Sequence, residues 1–544
     1  MNRTSTPVVL GVDLGTTSTK VVAFDAAGRE RASAGAGYPL REPAPGHVEL
    51  GAADVLGAAL RATREAAARA RAAGCAVAGI SFSSAMHSLV GVGARGALLT
   101  EVITWADTRA TEEAEELRPT DLGRALHRTT GTPVHPMSPL VKLVHLQRHR
   151  PELFAAARRW VQVKDLLVHR LTGTWVTDRS TASATGLADL ATGDWSGQAL
   201  GVAGVSPVQL PPIAPVTGLV GTLTAAAAEE LGLPARTPVF AGGADGPLAN
   251  LGVGAVVPGT AALSIGTSGA LRVAARAPRV DEAGRTFCYS LTDDLWIVGG
   301  ATTNGGVVLR WLAETVVPDL TFVAGELGDV PEEPLLDLAA QVPAGAEGLL
   351  MLPHLLSERA PQWSALTSGV LVGLQRRHGR AHVVRAALEG VCQQLALVAD
   401  SVEDAGSGIT EIRATGGFAR SALWRQVLAD VLGRPLSFAA GGQEGSSFGA
   451  ALVGHHALGH LDMLEAARRE VRIGEVVEPD PADAAVHARL RPVFASLAEV
   501  LAPAFRALRE FTADTTGTAE RPAGAPVPVP ALAAGAPEPR LEQD

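Results

Sequence analysis

A Gly-Thr turn set between two apolar runs occurs twice in this chain, and that repetition limits the fold more than any other feature. Residues 12–23 read VDLGTTSTKVVA and residues 263–274 read LSIGTSGALRVA, which line up after one deletion. Each copy is a strand, Gly-Thr, hydroxyls, then a basic residue and a second strand. The pattern predicts two hairpins in two related α/β halves. Two such halves would face each other across a cleft and grip one ligand from both sides.

The first copy extends over VVLGVDLGTTSTKVVAFDAAG, residues 8–28. Val8 to Val12 and Lys20 to Phe24 read as strands, and Leu14 to Thr19 is a tight turn at whose tip the polar groups crowd. Gly11 and Gly15 let backbone approach a ligand, Thr16, Thr17 and Ser18 offer hydroxyls and N–H groups to phosphate oxygens, and Asp13 can face a metal ion. That inventory suits a magnesium-bound nucleoside triphosphate, and the plainer alternative is a hydroxyl-rich β-turn. It matches neither the P-loop nor the dinucleotide GxGxxG pattern.

With 544 residues the chain is long enough for at least two domains, each with its own core. A formal charge of −10 argues against a nucleic-acid or anionic-membrane surface. Cys75, Cys288 and Cys392 are scattered with no CxxC or Cys/His pairing, so neither a disulfide framework nor a zinc site is indicated, and a reducing cytoplasm is the expected compartment. Residues 75–94 lack Asp, Glu, Lys and Arg, but serines, glycines and His87 interrupt them, which predicts strand, loop, strand rather than a membrane span. Residues 512–544 are rich in Pro and Ala without apolar periodicity and read as a disordered tail.

Two further segments carry chemistry. In PVFAGGADGPLANLGVG, residues 238–254, Asp245 is the only charge after an apolar strand and a glycine-rich turn; it is either a helix cap or a general base. In TGGFARSALWRQVLADVLG, residues 415–433, Gly416 and Gly417 precede an amphipathic helix, where a flat ring can lie on bare backbone.

Taken in order, these segments resemble the FGGY family of carbohydrate kinases, from about Val8 to Leu458. The most specific point is GVLVGLQRRHGRAHVVRAALE, residues 369–389, which follows the family's second signature through His382, Ala386 and Glu389; the first, at MSPLVKLVHLQR, has His145 where Trp is usual. The resemblance implies an α/β fold of two duplicated ribonuclease H-like, actin-like ATPase domains, 1–246 with the phosphate hairpin and sugar site and 247–511 with the nucleotide site. It implies ATP and Mg²⁺ as cofactors. Gly15, Thr16, Thr17, Ser18 and Lys20 would meet the phosphates, with Gly266 and Thr267 opposite them, and Gly306, Arg310, Gly417 and Ser421 would hold ribose and adenine. Asp13 and Asp245 would anchor the metal, and Asp245 would be the catalytic base.

Within the family, SFSSAMHSL (81–89), ITWADTRA (103–110), GTPVHPMSPL (131–140), STASATGLADL (180–190) and GGATTNGGVVLRWL (299–312) look like the branch that phosphorylates gluconate. That resemblance puts Met86, His87, Trp105, Asp107, Arg109, His135 and Met137 at the substrate together with Asp245. Trp105, Asp107 and Arg109 are spaced to share one side of an extended segment. The acid group of gluconate calls for a cation, with Arg109, His87, His135 and Arg359 as candidates. The expected partners are therefore a small-molecule sugar acid and ATP, with no nucleic acid or membrane and a homodimer as the assembly to test. A kinase of another polyol such as xylulose, or a non-catalytic actin-like ATP sensor, stands as the alternative.

Overall fold

The computed structural model describes residues 5–319, 333–439 and 445–516. In the N-terminal half, β1 (Thr6–Leu14), β2 (Ser18–Asp25) and β3 (Glu30–Gly37) form an antiparallel meander, and β4 (Cys75–Ser84) lies parallel beside β1. β5 (Leu219–Thr222) and β6 (Pro238–Phe240) extend the sheet to the order β5-β6-β4-β1-β2-β3, and β7 (Gly243–Ala244) pairs with the end of β4. The C-terminal sheet contains β8 (Thr260–Ile265), β9 (Gly269–Ala275), β10 (Phe287–Ser290), β11 (Trp296–Thr302), β12 (Glu411–Thr415), β13 (Leu436–Ala439) and β14 (Ile473–Val477). Its order is β10-β11-β9-β8-β12-β13-β14.

The run β3-β2-β1-β4-β6 and the run β11-β9-β8-β12-β13 have the same plan: three antiparallel strands, then two more that each run parallel to their neighbour. The duplication expected from two short motifs is thus a duplication of whole ribonuclease H-like sheets. Both predicted hairpins form, with Leu14 opposite Thr19 in one and Ile265 opposite Gly269 in the other.

Alternation along β1 explains how the halves are joined. Val8, Leu10, Val12 and Leu14 point into a core shared with the Ala52–Ala72 helix, as every second residue of a strand must. Val9 points the other way, into a cluster with Leu248, Leu251 and Phe448. Gly11 shares that second face, and a Cβ there would lie 2.1 Å from the carbonyl oxygen of Ser447 in the Gly445–Ala457 helix. The glycine therefore serves backbone-to-backbone packing between the halves, which corrects the expectation that it admits a ligand. Asp13 follows on the same face and accepts from Ser446 Oγ at 2.9 Å.

The Asp245–Gly252 helix runs through the boundary placed at 246/247. Residues 512–516, expected to belong to the tail, continue the Ala502–Thr516 helix, and the rest of that expected tail, residues 517–544, lies outside the described residues. Cys75, Cys288 and Cys392 are all buried and free. Among the described residues no helix is long and apolar enough to cross a membrane.

Candidate active site

A cavity of ≈ 570 Å³ opens beside the second hairpin, and its wall contains Gly266, Thr267, Gly306, Arg310, Gly417 and Ser421, all six of the C-terminal residues expected at the nucleotide. They come from three connections. The hairpin supplies Gly266 and Thr267; the Gly306–Thr315 helix docks on it through Gly306 N–H to Gly266 O at 2.8 Å; and Gly417 and Ser421 lead into the Ala422–Leu432 helix, which Ser421 caps. Gly416 needs its φ of 110° and has Ile265 O 2.3 Å from where a Cβ would stand, so this turn closes directly on the hairpin strand. Glu333 and Asp337, one helical turn apart, line the cavity as well and offer acceptors for ribose or exocyclic amine protons. No motif in the sequence marked them.

The first hairpin presents Thr17 and Ser18 exposed at its tip. Its shape is held by Gly15 N–H to Ser18 O at 3.0 Å and by Tyr38, whose hydroxyl donates to Gly15 O at 2.6 Å. Thr16 Oγ1 accepts from Trp105 Nε1 at 2.9 Å, which brings the loop expected at the substrate to the turn expected at the phosphates. Lys20 sits opposite Asp13 in the strand register.

Asp245 stands at the start of its helix, where Oδ1 accepts from the N–H of Gly246 at 2.7 Å. Burial, and then the nearby charge of Asp13, push its carboxyl up to about 6, and Arg272 opposes that rise. A carboxylate poised there is a competent acceptor for a hydroxyl proton. Arg272 on β9 lies against the same helix start: a Cβ on Gly246 would be 3.2 Å from Arg272 Nε and 3.1 Å from Met86 Cε. Burial lowers the Arg272 guanidinium while Asp245 raises it, and its Nε has no hydrogen-bond partner among the described residues. Sequence reasoning did not single out Arg272, although it is the basic residue of the repeated motif.

His87 and His135 come together in the cleft as neutral rings. His87 has a φ of 66°, a conformation few non-glycine residues adopt, and two contacts over-determine it: Nδ1 lies 2.7 Å from Ala184 O, and the backbone carbonyl accepts from Lys142 Nζ at 2.6 Å. Because a carbonyl only accepts, Nδ1 carries the proton and Nε2 is left as an acceptor. Burial and the charge of Lys142 push this ring down to about 3. His135 Nδ1 accepts from the N–H of Met137, so its Nε2 is a donor, and that atom is buried without a partner among the described residues. Burial, then Arg118 and Arg359, hold it well below the usual range. Neither ring is the cation that an acid substrate was expected to need.

Arg109 is a second correction. Its Nε and Nη2 donate to Asp107, and Nη2 also reaches Glu49 Oε1 at 2.5 Å. Asp107 in turn accepts from Val48 N–H at 2.7 Å and is 1% exposed. Arg109 is thus engaged by both carboxylates and braces the loop, so it is not the free cation expected for the substrate. Met137, 1% exposed, packs in the C-terminal apolar core.

Lys142 and Tyr289 were not foreseen. Lys142, fully buried on the Pro139–His149 helix, donates to His87 O and Thr104 O at 2.6 Å each and so ties two substrate-side loops to one helix. Burial lowers its ammonium to about 7. Tyr289, one of only two tyrosines in the chain, stacks on Phe287, meets the His87 ring edge-on, and has a buried hydroxyl with no partner among the described residues. On the same helix as Lys142, His145 and His149 both hydrogen-bond Glu113, so the residue that departs from the signature takes part in helix packing.

The model of the FGGY family of carbohydrate kinases, N-terminal domain, matches residues 8–252, and that of the C-terminal domain matches residues 261–458. A gluconokinase of Bacillus subtilis (strain 168) is 36% identical over 513 residues, covering 93% of this chain and 98% of the relative. A xylulose kinase of the same organism is 30% identical over 460 residues, 84% of this chain and 89% of the relative. Among solved structures, gluconate kinase from Lactobacillus acidophilus matches with a TM-score of 0.86 and 32% identity, covering 93% of this chain and all of that one.

Proposed function

The chain belongs to the FGGY family of carbohydrate kinases, ATP-dependent enzymes, and from that premise we propose that it phosphorylates D-gluconate on the C6 hydroxyl to give 6-phosphogluconate and ADP. The observation that carries this reading is the position of Asp245: a half-buried carboxylate raised to about 6, near Asp13 of the first hairpin and Arg272 of the second.

The chemistry follows from that placement. Asp245 accepts the proton of the substrate hydroxyl as its oxygen bonds to the γ-phosphorus, and the bond to the bridging oxygen of ADP breaks. Thr16, Thr17 and Ser18 from one half and Thr267 from the other give hydroxyl and N–H donors to the phosphate chain, so that its charge is met from both sides. Asp13 and Asp245 form a hard oxygen donor set whose like charges oppose each other, which fits a divalent cation, and these residues would hold Mg²⁺. When bound, that ion neutralises phosphate charge. Neutral His87 and His135 give the substrate one acceptor and one donor without introducing charge.

Gluconate is preferred over xylulose because the gluconokinase relative is more similar over more of the chain, 36% against 30%. An ADP-release assay with gluconate, xylulose, glycerol and ribulose tests the reading. Highest kcat/KM with gluconate is expected. A neutral ketose or polyol in first place overturns the substrate, and no ADP release with any of the four overturns the proposed reaction.

A further inference from the structure

We propose that Arg359 reads the acid end of the substrate by pairing with its carboxylate, an inference that rests on the sugar-acid reading above. A sugar acid phosphorylated on its terminal hydroxyl carries its charge at the opposite end of a six-carbon chain. The cation must then lie in the cleft of Asp245 but away from it.

Of the four groups that sequence put forward, Arg109 is held by Asp107 and Glu49, and His87 and His135 are neutral. Arg359 differs from all three. Among the described residues no carboxylate lies within ion-pair distance of its guanidinium, and its Nε is buried without a hydrogen-bond partner. The neighbouring Glu358 is turned to other work, accepting from the N–H groups of Thr303 and Arg359 and from Asn304 Nδ2. Burial lowers Arg359 to about 10, which leaves it cationic at neutral pH.

The fork is also set in place before any ligand arrives. Nη2 donates to Thr302 O at 2.8 Å, and Cζ lies 4.6 Å from the centroid of the Trp105 ring. A long side chain fixed in this way loses little rotamer freedom on binding. Arg272 also has a buried Nε without a partner among the described residues, but it lies against Gly246 beside the base, at the reacting end. The two arginines thus border one cleft, Arg272 packed against Gly246 and Arg359 stacked on Trp105, with Arg359 sensing the charges of Arg272 and Asp245. The unpartnered Nε2–H of His135, a ring that senses the Arg359 charge, is a second, neutral donor for the same carboxylate.

The test compares D-gluconate with D-gluconamide, which replaces the carboxylate by a neutral group of the same shape. In the wild type kcat/KM should favour gluconate by about tenfold or more, and Arg359→Gln should cut the gluconate value by about 30-fold or more while bringing the ratio near one. ATP affinity by calorimetry checks that the cleft is intact; should Arg359→Gln fail that check, Arg359→Met, which keeps an apolar stem over Trp105, is read in its place. A variant that binds ATP and retains the wild-type preference for gluconate overturns the assignment of Arg359 and leaves the sugar-acid reading standing. A wild type that does not turn over gluconate but phosphorylates a neutral polyol overturns the reading on which it rests.

Discussion

Trp105 Nε1 donates to Thr16 Oγ1 at 2.9 Å, while the face of the same indole carries the guanidinium of Arg359. One ring therefore touches the turn assigned to the phosphates and the cation assigned to the substrate. Trp105→Phe keeps a ring and removes the donor; Thr16→Val removes the acceptor. In a double-mutant cycle on kcat/KM the two changes should be non-additive by about 1 kcal/mol, the double variant being little worse than the poorer single one. Additivity within a few tenths of a kcal/mol would show that the bond does not couple the two ends.

Asp245→Asn should cost about 10²-fold or more in kcat while ATP still binds. The base must be ionised when it meets the sugar, so kcat/KM for the sugar should rise with pH and level off above about 6, the midpoint moving lower where Mg²⁺ held by Asp13 and Asp245 offsets their repulsion. The sign for stability is opposite. Because the folded carboxyl titrates higher than an unfolded one at 3.8, its ionisation works against the fold as pH rises above about 4. The asparagine variant should then have a higher Tm than wild type at pH 8 and lose that advantage near pH 4. A wild type that is the more stable at pH 8 would contradict the buried-charge account.

Local pattern made the strands and hairpins legible, because β-branched runs and Gly-Thr turns report on backbone that is set within a few residues. That Gly266, Thr267, Gly306, Arg310, Gly417 and Ser421 come together at one cavity was equally legible, since glycines among and beside them mark turns where backbone closes on backbone. Charged side chains were not. Arg109 reads as free until the fold brings Glu49 to it from 60 positions away, and Arg359 reads as ordinary until Trp105 is beneath it. His87 and His135 look titratable in sequence, and only burial decides that they stay neutral. Gly11 was misassigned for a like reason: its neighbour, Ser447, is more than four hundred residues distant.

Lys142→Met should act on the sugar more than on the nucleotide. The change leaves the carbonyl of His87 without its buried donor, at about 1–3 kcal/mol, leaves Thr104 O with only the Asp107 N–H at 3.3 Å, and frees His87 to leave its positive-φ conformation. The expected result is a lower Tm, a raised KM for the sugar and an ATP affinity by calorimetry within about twofold of wild type. Equal losses for both ligands would mean that the lysine supports the fold at large rather than the substrate loops.

Gly11→Ala tests how the halves are joined. The added Cβ would stand 2.1 Å from Ser447 O, and backbone cannot yield as a side-chain tip can. The same seam holds Gly449 against Leu248 O and Gly252 against Gly445, so the Gly445–Ala457 helix has no slack in which to settle and must shift as a body. Overpacking of this kind costs about 1–3 kcal/mol. The shift also moves Ser446 away from Asp13, two residues further along the same face of β1, so the stabilisation by ATP seen in a thermal melt should shrink as well. Gly201→Ala is the control: it lies in the Gly197–Ala203 helix with nothing within 4 Å of its Cβ position, and alanine there should be neutral or slightly stabilising. If the two alanine variants melt alike and respond alike to ATP, the seam is more compliant than its backbone contacts imply, and Gly11 has no part in joining the two sheets.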